Sequence, residues 1–273
     1  MIDLHLHTTA SDGTLEPAAL VAAAARAALT ILAVTDHDTV SGLAAARPAA
    51  AAHGLRLVNG AEITAVHEGR DLHLLAYFID PDDAGLSAFL ERQRQDRVRR
   101  VREIAARLES LGCAIDVEAL LSSVTVTSGR SIGRPQIADA LVAGGHARDR
   151  GDAFDRLLGN NRPGYLPRCG PPPEQVIDTV SRAGGLVSLA HPGLTRVDPI
   201  VARLAAAGLT ALEARHSDHD AETEQHYRDL AARHGLAVSG GSDYHGPSGH
   251  RIAALGVVTL PADDFAALEA RRQ

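Results

Sequence analysis

Aromatic residues are scarce in this chain of 273 residues, and tryptophan is absent. Aromatic side chains make up only 3% of the residues, whereas 45% are hydrophobic, chiefly alanine, leucine and valine. The core must therefore be aliphatic. The composition is typical of a soluble globular protein, and the length suits one large domain such as a single α/β barrel.

Cysteine and long apolar runs are also lacking. Cys113 and Cys169 are too few and too far apart for a disulfide framework or a cysteine-based zinc site. We interpret both as reduced thiols, which predicts a cytoplasmic protein. No run approaches the ~20 apolar residues of a membrane span, and residues 1–7 contain no basic region followed by an apolar stretch. We therefore expect neither export nor a membrane partner.

Positive charge is in the minority, since 27 basic residues face 34 acidic ones and give a net charge of −7. This balance argues against a basic surface that binds long duplex nucleic acid. A small anionic substrate remains compatible with the sequence if positive charge is local or is supplied by metal ions.

Short β-rich runs alternate with alanine-rich helical patterns along most of the chain. The predicted strands are residues 2–7, 31–35, 56–63, 72–78, 186–190, 211–215 and 236–239. The predicted helices are residues 16–28, 41–53, 198–207, 218–234 and 263–272. This alternation predicts a largely parallel sheet, open or closed.

About a hundred residues without a convincing strand separate the fourth and fifth strands. We interpret residues 82–173 as a helical insertion that forms part of the substrate pocket, and residues 1–81 and 174–273 as the barrel. The insertion contains an arginine-rich run at 91–100. Its arginines and acidic residues recur at helical spacing, which favours a solvated helix face with i,i+4 ion pairs over contact with substrate.

Histidines and carboxylates cluster where the predicted strands end. His5 and His7 share one face of the first strand, because side chains two residues apart point the same way. The other strand ends carry Asp36, His37 and Asp38, then Glu62, His73, His191, Glu213 with His216, and Asp243 with His245, while Asp12 follows the first strand in a Ser-Asp-Gly turn. The carboxyl ends of parallel barrel strands are where active sites form, so this repetition predicts a metal centre.

The motifs resemble those of the polymerase and histidinol phosphatase (PHP) superfamily of metallophosphoesterases. They are Asp-Leu-His-Leu-His-Thr at 3–8, Thr-Asp-His-Asp at 35–38, Gly-Ala-Glu at 60–62, Ala-His-Pro at 190–192 and Gly-Ser-Asp-Tyr-His-Gly at 241–246. The resemblance implies an α/β fold, specifically a distorted (β/α)7 barrel with a helical insertion domain. It also implies two or three divalent metal ions at the carboxyl ends of the strands.

The resemblance further implies a ligand set for each metal. The first metal would be bound by His5, His7, Glu62 and Asp243, the second by Glu62, His73 and His191, and the third by Asp12, His37 and His245. Asp12 stands where related sequences often have histidine, which makes the third site richer in oxygen. Mixed histidine and carboxylate ligands suit Mn²⁺, Fe²⁺ or Zn²⁺, and we expect Mn²⁺.

A hydroxide bridging two of these ions would be the nucleophile, because bound cations lower the pKa of water from 15.7 towards about 7. We therefore expect Asp12, Glu62 and Asp243 to take part in catalysis as well as in metal binding. The metals would also neutralise the phosphoryl oxygens.

Residues 128–135 begin a helical pattern with two arginines and hydroxyls, which indicates either an anion site at a helix N-terminus or an ordinary helix start. Within the superfamily, the chain is similar to the group that acts on nucleoside 3′,5′-bisphosphates and short RNA 5′ ends. That similarity implies that Arg130, Ser131 and Arg134 bind a phosphate. It also implies that His216 contacts this phosphate or protonates the leaving oxygen. Gln136 stands where that group commonly has histidine.

The expected activity is hydrolysis of a phosphomonoester of a small nucleotide, most specifically the 3′-phosphate of a nucleoside 3′,5′-bisphosphate. The alternatives are a histidinol-phosphate phosphatase, a 5′-3′ exonuclease on short oligoribonucleotides, and a non-catalytic, structural PHP module.

Overall fold

The computed structural model describes residues 1–123, 129–247 and 254–272. Seven strands in this part of the chain form one sheet, and their order in the sheet equals their order in the sequence. They are β1 (Ile2–Asp3), β2 (Ile31–Val34), β3 (Arg56–His67), β4 (Arg70–Tyr77), β5 (Leu186–Leu189), β6 (Ala211–His216) and β7 (Ala237–Gly241). The predicted α/β fold with seven strands is confirmed, with differences at the strand ends.

The sheet is parallel except at β4, which runs antiparallel to both β3 and β5. The other pairs, β1 with β2, β2 with β3, β5 with β6 and β6 with β7, are parallel. β3 and β4 form a hairpin through Glu68 and Gly69, whose φ angles of 49° and 74° suit a tight two-residue turn. β3 continues to His67, four residues beyond its predicted end, because the hairpin extends its pairing past the rim.

The sheet nearly closes into a barrel between its first and last strands. Leu4 N donates to Gly240 O at 3.2 Å, and His7 N donates to Tyr244 O at 2.9 Å. Leu6 also pairs with Tyr244 in parallel orientation. These contacts bring the segments that follow β1 and β7 side by side, and both segments carry candidate metal ligands.

Helices cover the barrel and form the segment between β4 and β5. They are α1 (Pro17–Arg26), α2 (Leu43–Ala52), α3 (Ala84–Ser110), α4 (Val117–Ser123), α5 (Arg134–Ala143), α6 (Arg150–Ala153), α7 (Pro173–Arg182), α8 (Pro192–Thr195), α9 (Val201–Ala206), α10 (Ala221–Arg233) and α11 (Ala262–Glu269). A π-helix at Phe154–Leu158 follows α6, and a 3-10 turn at Asp198–Ile200 precedes α9. None of the described helices combines the length and apolar character of a membrane span.

The long helix α3 joins the barrel to the inserted helices. Near its start, Leu86 and Phe89 pack in the apolar cluster of the barrel. Further along, Ile104 and Leu108 pack with α4, α5 and the π-helix in a separate apolar cluster. Asp83 caps the helix by accepting a hydrogen bond from Leu86 N at 2.7 Å. α3 therefore holds the inserted helices over one end of the barrel.

Candidate metal centre

His5 and His7 project from the segment after β1 towards Glu62 on β3 and Asp243 after β7. All four residues are buried. His5 Nε2 lies 3.2 Å from Glu62 Oε2 and 3.3 Å from Asp243 Oδ1, and His7 Nε2 lies 3.1 Å and 3.2 Å from the same atoms. Ligands of one tetrahedral or octahedral cation lie roughly 3.0–3.6 Å apart. The four side chains therefore have the spacing of one coordination shell.

Glu62 also faces a second group of histidines through its other oxygen. His73 Nδ1 lies 2.7 Å and His191 Nε2 lies 3.1 Å from Glu62 Oε1. His37 Nδ1 lies 3.2 Å from Glu62 Oε2. Glu62 is thus placed between two ligand groups, as expected of a bridging carboxylate. His73 reaches this group from the middle of β4, because the antiparallel direction of β4 brings its first half to the carboxyl ends of its neighbours.

The third predicted group also assembles, but more loosely. Asp12 Oδ1 lies 3.3 Å from His245 Nε2, and Asp12 Oδ2 lies 3.7 Å from His37 Nε2. His7 Nδ1 lies 3.7 Å from Asp12 Oδ1. His37 therefore presents one ring nitrogen to Asp12 and the other to Glu62.

Several buried polar atoms of the cluster are placed to bind a cation but not to form hydrogen bonds with one another. Within the described part of the chain, His7 Nε2, His37 Nδ1, His73 Nδ1 and Asp12 Oδ1 are buried without a hydrogen bond of acceptable geometry. Carboxylate oxygens lie at hydrogen-bonding distance from these ring nitrogens, but the nitrogens do not point at them. Burial without a partner costs free energy, and divalent cations between these atoms would offset that cost.

The electrostatics of the cluster keep its carboxylates ionised. Burial alone would raise the pKa of Glu62, but His37, His73 and His5 hold this pKa well below its usual range. The pKa of Asp243 is likewise held down by His5 and His245 in spite of burial. Ionised carboxylates are the form that binds metal.

Glu213, within β6, contacts the ring of His5 and the backbone of His191. Its Oε1 accepts a hydrogen bond from His5 Nδ1 at 2.8 Å, and its Oε2 accepts one from His191 N at 2.7 Å. With Nδ1 as the donor to Glu213, a neutral His5 ring would offer the lone pair of Nε2 to a cation held beside Glu62 and Asp243. This carboxylate and histidine pairing fixes the tautomer that a metal requires. The sequence placed Glu213 at a strand end, but Glu213 was absent from the predicted site.

We expect Glu213→Gln to lower metal affinity or kcat/KM by about 10- to 100-fold, because the ring of His5 loses its charged partner. Metal titration and steady-state kinetics of the purified variant measure the effect. The exposed Glu222 on α10 provides a control, and Glu222→Gln should leave both quantities unchanged. Equal behaviour of the two variants would contradict an orienting role for Glu213.

A cavity of about 420 Å³ adjoins the cluster. Its lining includes the cluster residues Asp12, His37, Glu62, His73, His191, Asp243 and His245. The lining also includes Asp71, apolar residues of α3, and the arginines Arg97, Arg100, Arg134, Arg150 and Arg168. Clustered candidate metal ligands and guanidinium groups thus share one cavity, as binding of a phosphorylated molecule requires.

Similarity to known proteins agrees with this geometry. The PHP domain family matches residues 3–119. A 3′,5′-nucleoside bisphosphate phosphatase from Chromobacterium violaceum is 33% identical, over 90% of this chain and 87% of its own length. The 5′-3′ exoribonuclease Rnm of Escherichia coli is 35% identical, over 90% of this chain and 85% of its own.

A crystal structure of a metal-dependent phosphoesterase from Bifidobacterium adolescentis superposes with a TM-score of 0.90 and 36% identity. The superposition covers 100% of this chain and 96% of that one. The chain belongs to the PHP domain family. It is a metal-dependent phosphoesterase, and therefore an enzyme, whose clustered histidines and carboxylates could bind metal ions.

The arginine-rich run of this PHP enzyme behaves differently from its expected role. Arg94 does pair with Glu91 at 2.7 Å, and Arg99 with Glu103 at 2.6 Å, as the helical spacing predicted. Arg97 and Arg100 instead face the cavity. Ion-pair spacing alone therefore did not distinguish the solvated face of α3 from the face that lines the site.

The residues predicted to bind phosphate take different places. Arg134 lines the cavity, and Ser131 is buried in a small adjoining recess with Asp12 and His37. Arg130 points towards Glu16, at 3.4 Å, and does not line the cavity. Ser128, at the start of the predicted motif, lies outside the described residues.

His216 and Gln136 have internal partners. His216 Nδ1 accepts a hydrogen bond from Asp218 N at 3.1 Å, so its Nε2 carries the proton that faces Asp243 Oδ2 at 3.4 Å. The side chain of His216 is fully buried and does not line the cavity. Gln136 Nε2 donates to Ser11 O at 2.6 Å, and its Oε1 accepts from Gly133 N at 2.9 Å. His216 therefore faces Asp243 behind the cavity lining, and its contact with phosphate stays a prediction.

Proposed function

We propose that this PHP enzyme hydrolyses a phosphomonoester of a small nucleotide, most specifically the 3′-phosphate of a nucleoside 3′,5′-bisphosphate. The main supporting observation is that the lining of one cavity includes both candidate metal ligands and five described arginines. Its volume suits one small ligand. The bisphosphate phosphatase among the relatives supports the choice of substrate.

We propose that His5, His7, Glu62 and Asp243 hold one ion, that Glu62, His73 and His191 hold a second, and that Asp12, His37 and His245 hold a third. Mn²⁺ suits this mixture of imidazole and carboxylate. Bound divalent ions would lower the pKa of a water molecule and neutralise phosphoryl oxygens. Asp12, Glu62 and Asp243 would thereby serve catalysis through the ions that they hold.

The roles of the remaining residues follow from their positions. Arg134 and Ser131 would bind or border the phosphate, whereas Arg130 has no contact with the cavity in the described structure. His216 acts as a positioning residue, since it donates from Nε2 to Asp243. We further propose that the inserted helices of residues 82–173 form part of the substrate pocket, because Arg97 and Arg134 reach the cavity from them.

We further propose a cytoplasmic location with Cys113 and Cys169 as reduced thiols, because two cysteines are too few for a disulfide framework. The net charge of −7 favours a small nucleotide or short oligonucleotide over long duplex nucleic acid.

Metal analysis coupled to a substrate panel tests the proposal. The panel contains adenosine 3′,5′-bisphosphate, histidinol phosphate and a short 5′-phosphorylated RNA. We expect the bisphosphate to have the highest kcat/KM, and loss of activity on chelation with recovery on addition of Mn²⁺. Preferential release of nucleotides from the RNA would favour the second candidate, a 5′-3′ exoribonuclease, which the similarity to Rnm supports. Preference for histidinol phosphate would overturn the nucleotide proposal.

For Arg134→Ala we expect KM to rise with metal content unchanged, because a charge-assisted phosphate contact contributes roughly 1.5–3 kcal/mol. Arg130→Ala is the matched control from the same motif. Arg130 lies away from the cavity, so its replacement should leave KM close to that of the wild type. Equal KM values for the wild type and Arg134→Ala, by steady-state kinetics, would contradict the role of Arg134.

A further inference from the structure

Asp71, the second residue of β4, lines the cavity and has no role in the proposed metal sites. Its Oδ1 is buried and lacks a hydrogen-bond partner among the described residues. Its Oδ2 lies 3.7 Å from a guanidinium nitrogen of Arg100 and 3.9 Å from one of Arg134, beyond hydrogen-bonding distance. A carboxylate only accepts hydrogen bonds. Asp71 therefore presents an unpaired acceptor oxygen to the cavity.

The two neighbouring arginines are fixed by other acceptors. Arg100 donates to Leu166 O from Nε at 3.0 Å and from Nη2 at 2.7 Å. Arg134 donates from Nη1 to Leu158 O and to Asn160 Oδ1, both at 3.2 Å. These bonds hold both guanidinium groups away from full contact with Asp71. The arginines offset its charge at a distance but leave its oxygen without a hydrogen bond.

The position of Asp71 relative to the metal centre indicates which part of a substrate it meets. Asp71 and His73 are two residues apart on β4, so they share a face and lie roughly 6.5 Å apart along the strand. His73 contacts Glu62 at 2.7 Å. A phosphate held beside Glu62 and His73 would thus place Asp71 near the sugar or base that carries it. Val101, Ile104 and Phe154 supply apolar contact in the same cavity.

We propose that Asp71 determines specificity by accepting a hydrogen bond from a neutral donor, a hydroxyl or an exocyclic amine, on the nucleoside part of the substrate. The inference rests on the proposed function, because it needs a nucleotide in the cavity. A second phosphate directly against Asp71 is disfavoured by repulsion between like charges. A site built to hydrogen-bond a substrate donor rejects the analogue that lacks it, because the buried acceptor stays unpaired.

The test compares kcat/KM for adenosine 3′,5′-bisphosphate with its 2′-deoxy analogue, which lacks the sugar hydroxyl, and with its inosine analogue, which lacks the exocyclic amine. We expect the wild type to disfavour one analogue by at least about 10-fold. In Asp71→Ala, kcat/KM for adenosine 3′,5′-bisphosphate and kcat/KM for that analogue should agree within about 2-fold, because no acceptor remains. Asp71→Asn keeps an acceptor oxygen and should restore most of the discrimination. The affected analogue tells whether the donor is the hydroxyl or the amine.

Two controls separate the possible failures. p-Nitrophenyl phosphate lacks the nucleoside donors, so Asp71→Ala should change kcat/KM for this substrate less than it changes kcat/KM for adenosine 3′,5′-bisphosphate. Asp229→Ala, an exposed replacement on α10, should behave as wild type throughout. If Asp71→Ala slows all three nucleotides equally and retains the wild-type ratios, Asp71 merely supports the arginines and the inference is overturned. If the wild type hydrolyses p-nitrophenyl phosphate but no nucleotide, the proposed function fails, and the inference fails with it.

Discussion

Asp243→Ala is expected to abolish turnover and to remove at least about one equivalent of bound metal. Asp243 Oδ1 lies 3.3 Å from His5 Nε2 and 3.2 Å from His7 Nε2, at the centre of the tightest candidate ligand group. Its loss removes both a ligand and a negative charge from a buried site. An ion that stabilises transition-state charge contributes several kcal/mol, so we expect kcat to fall on the order of 10³-fold or more.

Metal analysis by mass spectrometry and steady-state kinetics on the same preparation measure this effect. His7→Ala removes a neighbouring ligand from the same group and should give the same result. Asp178→Ala is the control, because Asp178 is an exposed aspartate on α7 that pairs with Arg182. Wild-type metal content and rate in either cluster variant would refute the metal centre as described. Equal losses in the control would point to a defect of folding or preparation instead.

The ligand positions were predictable because they depend on short-range geometry. Alternation in the predicted strand at residues 2–7 indicated that His5 and His7 face the same way, and both reach the cluster although β1 ends at Asp3. Parallel strands end at a common rim, where His37 and His191 follow buried apolar runs. The structure brings all nine predicted metal ligands into the same neighbourhood. Their assignment to particular ions stays a prediction.

The arginines were less predictable because their environment depends on packing between distant segments. Arg97 and Arg99 lie two residues apart in one charged run, yet Arg97 turns towards Asp38 while Arg99 pairs with surface acids. The direction in which each arginine side chain points depends on how α3 packs against the hairpin formed by β3 and β4. Arg130 and Arg134 differ in the same way, since only Arg134 starts a helix that borders the cavity.

Asp38 is the buried partner of two of these arginines. Its Oδ2 accepts hydrogen bonds from Arg97 Nε at 2.6 Å and from Arg168 Nη2 at 2.9 Å, and its Oδ1 accepts one from Thr64 N at 2.8 Å. Burial would raise the pKa of Asp38, but Arg97 and Arg168 hold it well below the usual range. This network ties the segment after β2 to α3 and to the segment that returns to the barrel.

Asp38→Asn should destabilise the protein by about 3–5 kcal/mol, because it leaves two buried guanidinium groups without their countercharge. Asparagine fits the position, since Asp38 has a φ of 52° and asparagine tolerates this conformation. Chemical denaturation in the presence of a chelator measures the change without a contribution from bound metal. The control Asp178→Asn breaks an exposed pair, at 3.0 Å from Arg182, and should cost less than about 1 kcal/mol.

The difference in unfolding free energy between wild type and Asp38→Asn should depend on pH. This dependence distinguishes the loss of charge from a general packing defect. The depressed pKa means that Asp38 contributes stability at neutral pH, where its carboxylate is ionised in both folded and unfolded chains. That contribution declines as pH falls below the ordinary aspartate pKa of about 3.9, because the unfolded chain then takes up the proton first. The difference in unfolding free energy between wild type and Asp38→Asn should therefore decrease on acidification. If this free-energy difference stayed constant from neutral pH to below the ordinary aspartate pKa, then the shape of the Asp38 side chain, not its charge, would be what stabilises the protein.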